Sequence, residues 1–320
     1  MALPGMLEGR LSLPVIGAPM FLVSSPELVI GQCTAGIVGS MPSLNARPPE
    51  LLDRWLKQIA AACTAHAQAN PGARVAPHAV NLIVNKANSR LEHDVDVVVA
   101  NRVPVVITSL SAPDAIVPRI HAYGGIVLHD VTSTRHARRA LRAGVDGLIL
   151  VCAGAGGHAG TLSPFALVSE VRAFYDGLVV LSGAMATGAG VLAAQAMGAD
   201  LAYIGTRFIA TTESNAGDDY KSMIVGSSAD DIVYTPLFSG VPGNYLKPSI
   251  VAAGLDPENL PAPEPGASYR RRDDRPQAWK TVWGAGQGVG GVDAVRPVAE
   301  VVARLRSEYD AARRALAATQ

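Results

Sequence analysis

The stretch from Val145 to Gly160 reads V-D-G-L-I-L-V-C-A-G-A-G-G-H-A-G, and it sets one titratable side chain, His158, among Gly154, Gly156, Gly157 and Gly160. An imidazole changes charge close to neutral pH, so it takes a proton when neutral and holds an anion when protonated. Glycines beside it let a flat or anionic ligand approach the main chain. Read alone, the window fits a glycine-rich turn with a solvated histidine equally well. Further small or polar groups follow other apolar runs: Ala18-Pro19-Met20, Asn81, His129-Asp130, Gly183-Ala184 and Gly205-Thr206. Small residues expose backbone N–H groups, and a following helix N-terminus favours negative charge. Gly183-Ala184 and Gly205-Thr206 therefore suit a phosphate, with the Thr206 hydroxyl as an extra partner. Met20 presents a polarizable surface to a ring, and Asn81 a donor and an acceptor to a heterocycle edge. Ordinary core packing for Met20 and loop anchoring for Asn81 are the alternatives.

Several other chemistries lack their residues. No lysine closes the run Leu148–Val151, where a Schiff-base aldolase of barrel type would place one. Asp130 is the main acid beside an apolar run, and one carboxylate does not make a Mg²⁺ site, so no metal is expected. The three cysteines, Cys33, Cys63 and Cys152, are far apart and form no C-x-x-C. That is the pattern of a reduced, cytoplasmic protein. Cys152 reads as a small apolar side chain completing a strand, since no base is fixed beside it.

The elements that must position these groups alternate regularly. Strands are expected at Pro14–Ala18, Gly36–Met41, Arg74–Asn81, Val103–Thr108, Gly125–Leu128, Leu148–Val151, Leu178–Ser182 and Asp200–Ile204. Helical segments follow them, among them one opened by Ser24-Ser25-Pro26-Glu27, Pro48–Asn70, Asn88–Asn101, Pro113–Tyr123, Ser133–Ala143, Ser163–Tyr175 and Gly188–Met197. Serine caps, early prolines and closing glycines mark their ends. Strand–helix alternation implies parallel strands with right-handed crossovers. Eight units in roughly 210 residues predict an α/β fold of the closed (β/α)8, or TIM-barrel, type, whose usual size is ~250 residues. An open doubly wound sheet is the competing architecture, but no G-x-G-x-x-G follows the first strand. In such barrels the chemistry sits at the C-terminal strand ends, which is where the residues above lie.

Beyond the eighth unit the composition changes. Residues 1–225 are assigned to the barrel, 226–290 to a lid-like insertion, and 291–320 to a C-terminal helix packing back on the barrel. The insertion is rich in Pro, Gly, Ser and Asp and carries the charge run Arg270–Arg275. It is too long for a simple connector. The glycine stretch Gly284–Gly291, with Gln287 inside it, closes the insertion. Val292 onward is expected to be helical, with Val298, Val301, Val302 and Leu305 on one face.

The 320 residues carry 27 basic and 27 acidic side chains, a net charge of zero that gives no case for a nucleic-acid groove or an anionic membrane partner. The N-terminus lacks the pattern of a signal peptide. No apolar run reaches the ~20 residues of a membrane helix.

Together, A-P-M after the first strand, Asn81, A-G-G-H-A-G, S-G-A-M and the block G-A-D-L-A-Y-I-G-T-R-F-I-A-T-T-E-S resemble the nitronate monooxygenase family, formerly called 2-nitropropane dioxygenases. The resemblance extends to W-G-A-G-Q-G-V-G near the end. It implies FMN, with the phosphate at Gly183, Ala184, Gly205 and Thr206 and the ring near Ala18, Pro19, Met20, Asn81, Gly156, Gly157 and Gln287. It implies His158 as the base or anion anchor for a nitronate or nitroalkane, with O₂ as oxidant. Three departures stand out. Asp130 replaces a lysine that is usual after the fifth strand, no acid precedes G-G-H, and Ala184 replaces the second glycine after the seventh strand. Related barrels include NAD(P)H-dependent quinone and enoyl-thioester reductases, so a reductase using NAD(P)H is the second expectation, and a non-redox barrel binding a phosphate ligand the third. Homo-oligomerisation is left open.

Overall fold

Eight short apolar runs build one closed parallel sheet. The computed structural model describes residues 3–261, 276 and 278–318. Its strands are β1 (Val15–Gly17), β2 (Gly39–Pro42), β3 (His78–Val84), β4 (Val105–Leu110), β5 (Ile126–Val131), β6 (Gly147–Val151), β7 (Gly157–His158), β8 (Leu178–Ser182) and β9 (Leu201–Ile204). All except β7 belong to the barrel. They run in the order β1-β9-β8-β6-β5-β4-β3-β2 with every pairing parallel. A parallel bridge from Ile16 to Val38 closes the ring. The expected (β/α)8 barrel is therefore present, and its seventh and eighth strands are β8 and β9.

Alternation along the strands sorts side chains to two cores. Ile16, Ile107, Leu128, Ile149, Val180 and Leu201 fill the barrel interior. Val80, Val106, Val127, Leu150, Val179 and Leu181 face outward against the helices. Leu7, fully buried, joins the interior cluster from the segment before β1. Helix starts follow the capping signals: Ser25 Oγ accepts from the Leu28 amide and Ser133 Oγ from the His136 amide, each at 3.2 Å.

Several boundaries differ from the expectation. β3 continues through Leu82-Ile83-Val84, so Asn81 lies inside the strand and does not end it. Asp130 likewise lies within β5. The helix expected over Pro113–Tyr123 is confined to Val117–His121. The last helix begins at Val298, after Pro297, and not at Val292. The intervening Gly290, Gly291 and Pro297 explain the delay. Its apolar face, Val298, Val301, Val302 and Leu305, packs with Val191 and Phe208.

The segment after β9 is more structured than its composition implied. It holds helices Thr206–Ile209, Asp218–Val225 and Lys247–Ala252, with strands β10 (Ile232–Thr235) and β11 (Gly243–Leu246). β10 and β11 are antiparallel, and β11 also pairs with β7, matching Gly243 to His158 and Asn244 to Gly157. The charge run Arg270–Arg275 lies outside the described residues.

Candidate active site

The inward-facing positions change character at the C-terminal end of the barrel. Above the apolar interior stand Ser40, Asn81, Ser109, Asp130, Ser182 and Tyr203, each two residues beyond an inward apolar residue. Three of them form a chain across β3, β4 and β5. Asn81 Nδ2 donates to Ser109 Oγ at 2.8 Å, and Ser109 Oγ donates to Asp130 Oδ2 at 2.5 Å. Asp130 Oδ1 and the Tyr203 hydroxyl are buried with no hydrogen-bond partner among the described residues. Burial raises the Asp130 carboxyl to about 6 against the pull of the Ser109 hydrogen bond. Burial, then the Asp130 charge, raises the Tyr203 phenol well above its ordinary value. Two orphaned polar atoms beside the barrel mouth are costly unless a ligand meets them.

The apolar side of the mouth carries Ala18 and Met20. A Cβ built on Gly205 would meet Ala18 Cβ at 3.5 Å and Met20 Sδ at 3.6 Å, so the three form one surface. Met20 is fixed by main-chain bonds: its amide donates to Ser24 Oγ at 2.9 Å, and its carbonyl accepts from Asn45 Nδ2 at 3.0 Å. Cys152 is fully buried beside this mouth, and burial pushes its thiol up to about 12. It is part of the outer core, which suits a packing role.

Beside the end of β8 lies a pocket of about 240 Å³, lined by Ala184, Met185, Ala186, Thr187, Gln287 and Gly288 among others. Ala184 adopts a left-handed φ of 53°. The helix Gly188–Ala196 starts here, with Thr187 Oγ1 accepting from the Gly190 amide and Glu308 Oε2 accepting from the Gly188 amide. Gly205 and Thr206 do not line this pocket. Thr206 is buried, and its Oγ1 accepts from the Gly286 amide at 2.9 Å. The late glycine stretch thus lies against the G-A-G-G loop, and the Gln287 amide donates to the Gly154 carbonyl at 2.9 Å.

His158 sits on β7, reached from the C-terminal end of β6, and is held from the insertion. Its Nε2 lies 2.7 Å from Ser239 Oγ, and the edge of its ring meets Trp279 at a centroid distance of 5.6 Å. The loop before it is tied down by Asn244 Nδ2, which donates to the Ala155 carbonyl at 2.7 Å, and the Tyr234 hydroxyl donates to the Ala159 carbonyl at 2.8 Å. The ring keeps contact with solvent on one side and is crowded by protein on the other. This partial desolvation holds its pKa below the ordinary imidazole value. The shift favours the neutral form of the ring.

The sequence expectation named residues that the structure gathers into three groups: Ala18, Met20 and Gly205 on one surface, Asn81 and Asp130 in one hydrogen-bonded chain, and Ala184 and Gln287 at one pocket, apart from the Gly205 and Thr206 expected beside Ala184. It missed Ser109 and Tyr203, whose signal is the period of two along β4 and β9. It also missed Ser239, Tyr245 and Trp279, for which the sequence offers no signal beyond their place in the long insertion. Among the described residues no His, Cys, Asp and Glu group holds metal-binding geometry, and no helix is long and apolar enough to cross a membrane.

The family model for nitronate monooxygenase matches residues 9–308. A curated nitronate monooxygenase from Paraburkholderia phytofirmans is 27% identical over 92% of this chain and 92% of its own. A curated (3aS,4S,5R,7aS)-5-hydroxy-7a-methyl-1-oxo-octahydro-1H-indene-4-carboxyl-CoA dehydrogenase from Rhodococcus jostii is 26% identical over 74% of this chain, and the match spans only 64% of that relative. The solved nitroalkane oxidase of Streptomyces ansochromogenes superposes with a TM-score of 0.79 at 24% identity, over 98% of this chain and 100% of its own, which shows a shared fold.

Proposed function

Because the chain belongs to the nitronate monooxygenase family, we propose that this oxidoreductase is FMN-dependent and oxidises alkyl nitronates, or the nitroalkanes that give rise to them, with O₂. The observation that carries the reading is His158, held at the rim of the barrel mouth with its pKa below the ordinary value. A neutral imidazole removes the α-proton of a nitroalkane, and its protonated form then faces the nitronate anion.

The residues at the mouth fit the cofactor. The orphaned Asp130 Oδ1 and Tyr203 hydroxyl supply partners for the polar edge of an isoalloxazine, and Ala18 with Met20 supplies an apolar surface for its ring. The pocket beside Ala184 and Gln287 accepts the phosphate end, with Gly183 on the same turn. Gly205 and Thr206 support this arrangement from below, and Asn81 acts through Ser109 on Asp130. Bound FMN supplies the electron-accepting chemistry, and the protein orients the substrate and handles its proton. The described residues of 226–290 form a lid that holds His158 through Ser239 and Trp279, and Gly156 and Gly157 let the loop pack closely against Gly286 and Trp279.

A second reading, reduction of quinones or enoyl thioesters by NAD(P)H, draws support from the relative named as a CoA-ester dehydrogenase. Anaerobic stopped-flow absorbance of the FMN-loaded protein separates the two. Loss of flavin colour with propyl-2-nitronate and none with NADH or NADPH is expected. Rapid bleaching by a nucleotide and silence with nitronate would make the protein a reductase. A chain that takes up no FMN would leave only a non-redox phosphate-binding barrel.

A further inference from the structure

The His158 side chain has one hydrogen-bond partner among the described residues, and that partner's own bonds define how the ring is protonated. Ser239 Oγ lies 2.7 Å from His158 Nε2. The same oxygen lies 3.0 Å from the Val241 carbonyl, which can only accept. It also receives the Tyr245 hydroxyl at 3.1 Å. A serine hydroxyl has one proton and two lone pairs. With its proton directed to Val241 and one lone pair meeting Tyr245, the remaining lone pair faces Nε2, which must then be the donor.

We propose that Ser239 is a positioning residue that fixes neutral His158 with its proton on Nε2, leaving Nδ1 as the atom that takes the substrate proton. Nε2 cannot donate to Ser239 and receive a proton at once, so the reactive nitrogen is the one facing away from the insertion. The support around Ser239 is rigid. Tyr245 is fully buried on β11, between Phe238 at 5.1 Å and Trp279 at 5.5 Å. β11 pairs directly with the backbone of His158. Trp279 closes against the imidazole edge and stands 3.0 Å from where a Cβ on Gly157 would lie. The insertion thus fixes the main chain, the ring plane and the tautomer of one side chain. A tautomer held by a neighbouring acceptor is a common means of readying a histidine base.

The inference rests on the proposed proton transfer to His158, but the tautomer is measurable without turnover. The FMN-loaded full chain, labelled with ¹⁵N in its seven histidines, reports the protonated nitrogen of each ring through two-bond ¹H–¹⁵N correlations. His158→Gln identifies the His158 signals. Above its pKa, His158 is expected to carry its proton on Nε2. Ser239→Ala should average the two tautomers and lower kcat with a nitroalkane about tenfold at little change in KM. Ser239→Thr, which keeps the hydroxyl, should restore both. Tyr245→Phe should keep the Nε2–H tautomer, since Ser239 still donates to Val241. A proton on Nδ1 in the wild type, or an unchanged tautomer in Ser239→Ala, would overturn the proposal. A wild type that shows the Nε2–H tautomer but oxidises no nitroalkane would sink the proposed function and leave the tautomer assignment standing.

Discussion

Gly156 and Gly286 meet backbone to backbone: a Cβ built on Gly156 would stand 2.8 Å from the Gly286 nitrogen, and one built on Gly286 would stand 2.9 Å from the Gly156 nitrogen. Residues 130 positions apart are thereby locked at the edge of the barrel mouth, with Thr206 Oγ1 accepting from the same Gly286 amide. No flexible side chain can yield here, since the obstruction is main chain. Gly156→Ala should therefore cost about 1–3 kcal/mol, as overpacking does, and displace Gln287 from its pocket. Thermal unfolding should show a lower Tm, and gel filtration a lower ratio of FMN to protein. Gly5→Ala, with nothing within 4 Å of the added carbon, should leave both unchanged.

Asp130 is a carboxyl whose folded-state pKa is raised from 3.8 to about 6 by burial. The folded protein then binds this proton more tightly than the unfolded chain does. The contribution of Asp130 to stability is fully present below 3.8 and is lost as pH rises through about 6. At pH 7.5 the ionised, half-orphaned carboxylate costs about 3 kcal/mol. Asp130→Asn keeps an acceptor for Ser109 and removes the charge. The cofactor-free variant should be more stable than wild type at pH 7.5 and gain much less at pH 4, by chemical denaturation at both pH values. With FMN bound, removing the negative charge should raise the flavin midpoint potential. Equal stability gains at the two pH values would show that folding does not shift the Asp130 pKa.

The barrel was legible because its signal is periodic and local. Runs such as Leu178–Ser182 and Leu201–Ile204 are short, apolar and punctuated by glycine, and β8 begins and ends where its sequence pattern does. Boundaries slipped where the period continues past a polar residue, as in β3, where Leu82-Ile83-Val84 follows Asn81. The mouth was half legible. Residues next to glycine clusters, such as His158 and Ala184, announce themselves, whereas Tyr203 is a lone polar residue in an apolar strand and looks like core. The His158–Ser239–Tyr245 contacts were illegible, because they depend on the pairing of β7 with β11, whose partners Gly243 and His158 are 85 residues apart. No local pattern encodes a pairing between a two-residue strand and a distant one.

Ala184 stands at a φ of 53°, a region costly to any residue with a Cβ. The resemblance to the family places a glycine there in many members, and the backbone explains why. Ala184→Gly should relieve the strain, partly offset by the greater freedom of glycine in the unfolded chain. A net gain of about 0.5 kcal/mol is expected from urea unfolding. FMN affinity should be retained, because the pocket beside Ala184 is lined there by backbone and a single methyl group. A loss of stability on this change would show that the packing of the Ala184 methyl group outweighs the strain.

The two chemical roles proposed for His158 can be separated by substrate choice. A nitroalkane must lose its α-proton before it can be oxidised, whereas a nitronate prepared in advance has already lost it. If His158 is the base, His158→Ala should lower turnover of nitroethane by about 10²–10⁴-fold, the range for a lost general base, and lower turnover of ethylnitronate much less. If it is only an anchor for the anion, both should fall together, mainly through KM. The pH profile supplies an independent check. The pKa of His158 is held below 6.5 by desolvation, and the base form is the neutral one. The wild-type rate with nitroethane should therefore fall along an acid limb whose midpoint lies below 6.5. Ethylnitronate oxidation should lack that decline over the range in which the nitronate stays ionised. A nitroethane midpoint above pH 6.5 would mean that the titrating base is another group, and a profile shared by both substrates would show that the titration is not removal of the nitroalkane proton.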